Sequence, residues 1–321
     1  MLNVILAPTD GSGFDRDALR VAARLSDAAG TELKLVRVWS APMVFTGPDA
    51  LIYPQEAITR EREYEASRLE SLKGEVAKET RAKVTASLEE GPVADGIARY
   101  AREENVDLIV ISSHGRGGMA RAAMGSVTDS LIRNTNIPVL VVKPSGSYLD
   151  NKDTALFRRI LVPLDGSTLA EEILPHVAAI AKKYGASVVL QHVLTPLTYS
   201  QRKMQDGQMP WWEDDIEVAQ TYLAEQAEMM RKLGVPTTIE ISIGESAADG
   251  ITRAAGRLRA DLIAIGTRGR GGIARVLRGS VADSVVRCSR TSMLVFHPAA
   301  HAVEKSAEPV RATEAVFAPA T

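Results

Sequence analysis

VDLIVISSHGRGGMARAAMGSVTDSLIR, from Val106 to Arg133, returns further along the chain as ADLIAIGTRGRGGIARVLRGSVADSVVR, from Ala260 to Arg287. A match of this length is no chance motif. APTDGS (Ala7 to Ser12) likewise returns as VPLDGS (Val162 to Ser167), and ADGIAR (Ala94 to Arg99) as ADGITR (Ala248 to Arg253). The offset of about 155 residues is too long for a solenoid unit of about 20 to 50 residues and suits a complete domain. The chain therefore reads as a tandem pair, with a first domain over 1–143 and a second over 157–298. Between them, residues 144–156 (PSGSYLDNKDTAL) have the Pro, Gly, Ser and Asp content of a linker. The tail over 299–321 is rich in Ala, Pro and Glu, too poor in apolar residues to build a core element, and is expected to be disordered.

Within each domain, short aliphatic runs alternate with longer helical patterns, the mark of βα units around a buried parallel sheet. In the first domain the expected strands are Asn3 to Pro8, Glu32 to Val38, Lys83 to Leu88, Asp107 to Ser112 and Pro138 to Lys143. The helices between them are Phe14 to Ala29, Pro54 to Arg81, Val93 to Glu103 and Val127 to Asn134. The charged second helix has ordinary amphipathic spacing and reads as a solvated face rather than a coiled coil. The second domain repeats this order with a shorter second helix and an insert from Leu197 to Asp215. The class is α/β, with helices on both faces of each five-stranded parallel sheet. Such a sheet binds ligands beyond the carboxyl ends of its strands, where the strand order reverses, which directs attention to the loops after strands one and four.

Composition narrows the function. Of 321 residues 45% are hydrophobic and 5% aromatic, and 38 Lys and Arg face 40 Asp and Glu for a net charge of -2. That is a globular balance without the positive field of a general nucleic-acid binder. The apolar runs are far shorter than the roughly 20 residues that span a bilayer, so no membrane segment is expected. The start MLNVILAPTDGS has no basic region or long apolar stretch and reads as a first strand rather than a signal peptide. The single cysteine, Cys288, excludes an intrachain disulfide, fits a reducing compartment, by default the cytoplasm, and is expected to pack as an inert small hydrophobe.

The shared loops carry the chemistry. After strand four the second domain has Gly266, Gly269, Gly279 and Ser280, and then a helix. Glycines let backbone N–H groups approach an anion, the serine adds a hydroxyl at the helix start, and Arg268, Arg270, Arg275 and Arg278 add positive charge. The first domain keeps Gly115, Gly125 and Ser126, but has Ser112 in place of Gly266, and His114 and Met124 in place of Arg268 and Arg278. The second domain is therefore the stronger anion cradle. Asp10 and Asp165 close strand one and face the same crevice, as acceptors for a ribose or an adenine amine or as Asx turns in DGS. The GxGxxA spacing at Gly115, Gly117 and Ala120 lies after the wrong strand for a dinucleotide fingerprint. GRGG occurs once per domain between a strand and a helix, unlike RGG arrays that bind nucleic acid. Walker segments, nucleophile elbows, HExxH and CxxC pairs are absent, which favours a binding module over an enzyme. No residue is singled out as catalytic or as a metal ligand.

The pattern of both domains resembles the universal stress protein family, in a tandem arrangement. The resemblance implies two Rossmann-like domains of the adenine nucleotide alpha hydrolase type, each with five parallel strands. The ATP-binding subgroup's motif, G-x2-G-x9-G-[ST], is met in full at Gly266, Gly269, Gly279 and Ser280, and the first domain departs from it at Ser112. By resemblance the adenine lies near Pro163, Asp165 and Val193, and the ribose near Gly266, with Ile265 beside it among the cofactor-binding residues. The phosphates lie on Arg268, Gly269, Gly279, Ser280 and Val281. The matching first-domain positions are Pro8, Asp10, Val38, Ser112, His114, Gly115, Gly125, Ser126 and Val127. The implied cofactor is ATP or AMP, with or without Mg, and the implied role is nucleotide-dependent regulation in the stress response, with at most slow ATP turnover. Pairing of the last strands, Val139 to Val142 with Met293 to Phe296, is expected within the chain, with a homodimer and an unidentified protein partner as further associations. The contrasting reading is a nucleotide-independent interaction module that docks through the insert around Trp211 and Trp212.

Overall fold

The computed structural model describes residues 2–27, 30–40, 55–113, 124–144, 156–195, 212–267 and 280–298. In the first half, β1 (Val4–Pro8), α1 (Arg16–Ser26), β2 (Glu32–Trp39), α2 (Gln55–Val76), β3 (Lys83–Glu90), α3 (Val93–Glu103), β4 (Leu108–Ser112), α4 (Ser126–Asn134) and β5 (Val139–Val142) follow one another. The second half contains β6 (Arg159–Pro163), α5 (Thr168–Glu171), α6 (Leu174–Tyr184), β7 (Ser187–Leu194), α7 (Trp212–Lys232), β8 (Thr237–Ile243), α8 (Ala247–Arg257), β9 (Leu262–Gly266), α9 (Ser280–Cys288) and β10 (Ser292–Phe296).

All ten strands form one sheet in the order β3-β2-β1-β4-β5-β10-β9-β6-β7-β8. Pairing is parallel within each half, and the order reverses between β1 and β4 and between β6 and β9. The halves join where β10 runs antiparallel to β5, with Leu294 opposite Leu140, Met293 opposite Val141 and Val295 opposite Val139. These six side chains are buried, each worth about 1.5–3 kcal/mol relative to exposure.

The aliphatic runs are continuous because helices cover both faces of the sheet. Ile5, Ala7, Leu33, Leu35, Leu140 and Leu294 belong to a core under α1, α2, α6 and α7 that includes residues of both halves. Leu6, Val36, Ile109, Val141, Ile263 and Met293 belong to a second such core under α3, α4, α8 and α9. Polar contacts cross the junction as well. Lys143 Nζ donates to Val286 O at 2.7 Å, Lys183 Nζ donates to Thr31 Oγ1 at 3.0 Å, and the Tyr184 hydroxyl donates to Leu25 O. Asp107 ties β1 to β4 by accepting from Asn3 N and Val4 N, and Asp261 repeats this with Arg158 N and Arg159 N.

Several elements differ from expectation. The first helix of the second half is split into α5 and α6, because Pro175 has no N–H to donate to Glu171 O and its ring crowds that carbonyl. The second helices have nearly equal lengths, 22 and 21 residues, since α7 begins at Trp212 inside the expected insert. Helix α2 ends at Val76 rather than Arg81, where Asp27 Oδ1 accepts from Arg81 N and Thr80 Oγ1 from Ala82 N, offering the backbone non-helical partners. Cys288 is exposed rather than packed, because the buried stripe of α9 runs through Ala282, Val285 and Val286. Residues 145–155 of the expected linker, 197–211 of the expected insert and the tail over 299–321 lie outside the described residues.

The shared ADGI motif has a packing reason. A Cβ on Gly96 would lie 3.0 Å from Val38 Cγ1, and one on Gly250 would lie 2.5 Å from Val193 Cγ1. Gly256, on the same helix as Gly250, faces open space. Gly250→Ala is therefore expected to destabilise the protein by about 1–3 kcal/mol through overpacking, and Gly256→Ala to stabilise it by about 0.5–1 kcal/mol. Urea unfolding of both variants reads the opposite signs. His176, its ring 4.4 Å from that of Phe296, has its pKa lowered by burial. The unfolded chain then takes up a proton that the folded one resists, so this contribution is intact above about pH 6.5 and is lost as pH falls below it. Denaturation midpoints measured down to about pH 5 should fall less steeply in His176→Gln.

Candidate functional site

The two reversal points place Pro8 beside Ser112 and Pro163 beside Gly266 at the carboxyl ends of their strands. In each half the DGS segment forms an Asx turn. Asp10 Oδ1 accepts from Ser12 N at 2.8 Å, and Asp165 Oδ1 accepts from Ser167 N at 3.0 Å. The intervening glycines take φ of +67° at Gly11 and +81° at Gly166, a conformation that side chains disfavour. Ser167 then caps α5 by accepting from Ala170 N at 3.2 Å. The turn uses one oxygen of Asp165, and the residue itself is exposed at the crevice.

Val38 and Val193 follow on the neighbouring strands, half-buried against Gly96 and Gly250. They give each crevice an aliphatic wall, and Ile265 is buried just before Gly266. A Cβ at Gly266 would lie 2.8 Å from Leu169 O and 3.3 Å from Ala170 Cα, so the approach of α5 already requires glycine there. In the first half the helix begins later, at Arg16, and the equivalent position carries Ser112.

In the first half, Thr128 Oγ1 donates to Ser112 O at 3.0 Å and Gly125 N donates to Ser113 O at 2.9 Å, tying the start of α4 to the end of β4. Gly125 is the N-cap, with φ of -61° and ψ of 145°. Its glycine is thus not needed for a positive φ. Among the described residues no side chain caps α4. The N–H groups of its first turn, at Ser126, Val127 and Thr128, point out of the helix end and carry its positive dipole. Ser280 and Val281 open α9 at the matching place. His114, Gly115, Arg268, Gly269 and Gly279 lie outside the described residues.

Sequence reasoning missed the groups that hold the crevice from the other side. In the first half the Thr9 hydroxyl donates to buried Asp15, Arg37 pairs with Glu65, and Arg68 Nη2 donates to Gly11 O at 3.0 Å. In the second half the Tyr222 hydroxyl donates to Glu171 Oε1 at 2.9 Å, and burial together with this contact raises its pKa. Fully buried Gln191 donates to Ser242 Oγ and Gly250 O, while its Oε1 has no partner among the described residues. A charged or amide residue inside an aliphatic strand, as in LVRVW and VVLQHVL, was the available signal.

With this geometry in place, the family model for the universal stress protein family matches residues 1–143 and again 156–297. A universal stress protein of Mycolicibacterium smegmatis is 26% identical over 304 residues, covering 92% of this chain and 97% of its own length. One from Mycobacterium tuberculosis is 26% identical over 189 residues, 59% of this chain, and the match spans 61% of that relative's length. The crystal structure of a universal stress protein from Archaeoglobus fulgidus superposes with a TM-score of 0.68 at 21% identity, covering 93% of this chain and 100% of that one, which supports the fold. The repeated βα order, the doubled crevice and the two successive matches agree, and the chain belongs to the universal stress protein family as a tandem of two such domains.

Proposed function

We propose that this protein is an adenine-nucleotide-binding regulator of the stress response, with a seat for ATP or AMP at each reversal point. The observation that carries the reading is the first turn of α4, which no described side chain caps and which stands beside the end of β4. An anion is the natural partner for such a turn. Asp165, Val193, Ile265 and Gly266, and Asp10, Val38 and Ser112 in the first half, are proposed to contact the adenosine. His114, Gly115, Gly125, Ser126 and Val127, together with Arg268, Gly269, Gly279, Ser280 and Val281, are proposed to contact the phosphates. Mg is an optional companion of ATP. The full motif favours the second half.

Regulation follows from differential binding. Nucleotide shifts the protein only by its preference for one arrangement of the Gly-rich loops over another, and that preference alters the surface a protein partner meets. We place the protein in the cytoplasm; among the described residues no helix is long and apolar enough to cross a membrane. A nucleotide-independent interaction module is the second reading, favoured by Val218, which is 69% exposed on α7 beyond Trp212. Trp211 itself lies outside the described residues.

Calorimetric titration with ATP and with AMP, with and without Mg, separates the two readings. Gly279→Asp is expected to remove binding at the second-half seat, and Gly125→Asp at the first, each weakening its own site by more than about tenfold. Absence of binding to the wild-type chain at millimolar nucleotide contradicts the proposal and leaves the interaction module.

A further inference from the structure

Helices α4 and α9 meet across the β5–β10 junction through four charges. Arg133 Nη2 lies 2.8 Å from Asp129 Oδ1 on its own helix and 3.7 Å from Asp283 Oδ1 on α9. Arg287 Nε lies 3.0 Å from Asp283 Oδ2, and its Nη2 lies 3.9 Å from Asp129 Oδ1 on α4. The arrangement is reciprocal. Each arginine holds the aspartate one turn before it and reaches the aspartate of the other half.

Both aspartates stand at the end of the first helical turn, close behind the N–H groups that would receive phosphate. Asp129 N accepts the helix geometry by donating to Gly125 O at 2.9 Å. A carboxylate there favours the helix dipole when no ligand is bound, but repels an incoming anion. Compensation by arginine is therefore a condition for holding phosphate, and here part of it comes from the opposite half. The four side chains are 28–42% exposed, so their coupling is moderate and sensitive to salt.

We propose that Arg133 and Arg287 are shared positioning residues, each neutralising the first-turn aspartate of the opposite half, so that a residue of one domain supports the nucleotide seat of the other. This inference rests on the nucleotide reading above and adds a link between the two seats. Neither arginine touches the nucleotide itself.

The test uses the full chain with its first seat blocked by Gly125→Leu, so that ATP reports on the second seat alone. In that background Arg133→Met, a change confined to the first half, is expected to weaken ATP binding about three- to fivefold at low salt. Arg133→Lys should restore most of the affinity, and the loss should shrink as salt is raised. The reciprocal pair, Gly279→Leu with Arg287→Met, should weaken the first seat in the same way. A change of less than about twofold on Arg133→Met, or a Lys variant as weak as the Met variant, overturns the coupling while nucleotide binding stands. Failure of the wild-type chain to bind ATP overturns both. Should Gly125→Leu not fold, the tighter site of the otherwise wild-type chain is titrated with Arg133→Met, and the same outcomes apply.

Discussion

Each half contributes five strands that end in a short aliphatic strand, and Val139–Val142 and Met293–Phe296 have no polar side chain to offer water. Left open, each would expose buried-type side chains and a row of unpaired backbone groups. Pairing β5 with β10 removes both edges at once and carries the two cores through the junction without interruption. The rest of the architecture follows from this join. It brings α4 against α9 on one face and α6 against the end of α1 on the other, and it sets the two crevices on opposite ends of the sheet, because the strands of one half run against those of the other.

The same scaffold serves two crevices that are held differently. Strand register equates Val36 with Gln191 and therefore Arg37 with His192. The buried leucines of the second helices, Leu69 and Leu223, equate Arg68 with Tyr222. In the first half Arg68 of α2 fastens the turn at Gly11, beside the Arg37–Glu65 pair of β2 and α2. In the second, His192 Nδ1 contacts Leu164 O at 2.9 Å, Tyr222 holds Glu171, and α5 closes down on Gly266. The departure from the family motif at Ser112 is thus matched by a departure in the helix packed beside it, so the two halves are different solutions to positioning one loop.

Most of the fold was legible because it rests on local pattern. Aliphatic runs between amphipathic helices mark buried parallel strands, and the repeat fixes how many there are. What escaped was set by single residues rather than by the pattern. Pro175 splits a helix whose apolar spacing runs on past it, Asp27 draws Arg81 out of α2 from a distant part of the chain, and the last turn of α9 turns Cys288 outward. At the proposed site, Pro8, Asp10, Val38 and their counterparts come from the family resemblance alone. The reasons for two glycines could not be read from the sequence. Gly266 answers to a carbonyl of α5 and Gly250 to a valine of β7, neighbours that only the folded chain supplies.

The central claim is that the reversal points are adenine-nucleotide seats, with the second half the stronger. Denaturing freshly purified protein to which no ligand has been added, and counting the adenine nucleotide released per chain by chromatography and mass, tests it most directly. The account predicts between about one nucleotide per chain, with the second half occupied, and about two, with both halves occupied. No released nucleotide, together with no uptake of added ATP or AMP, would contradict it.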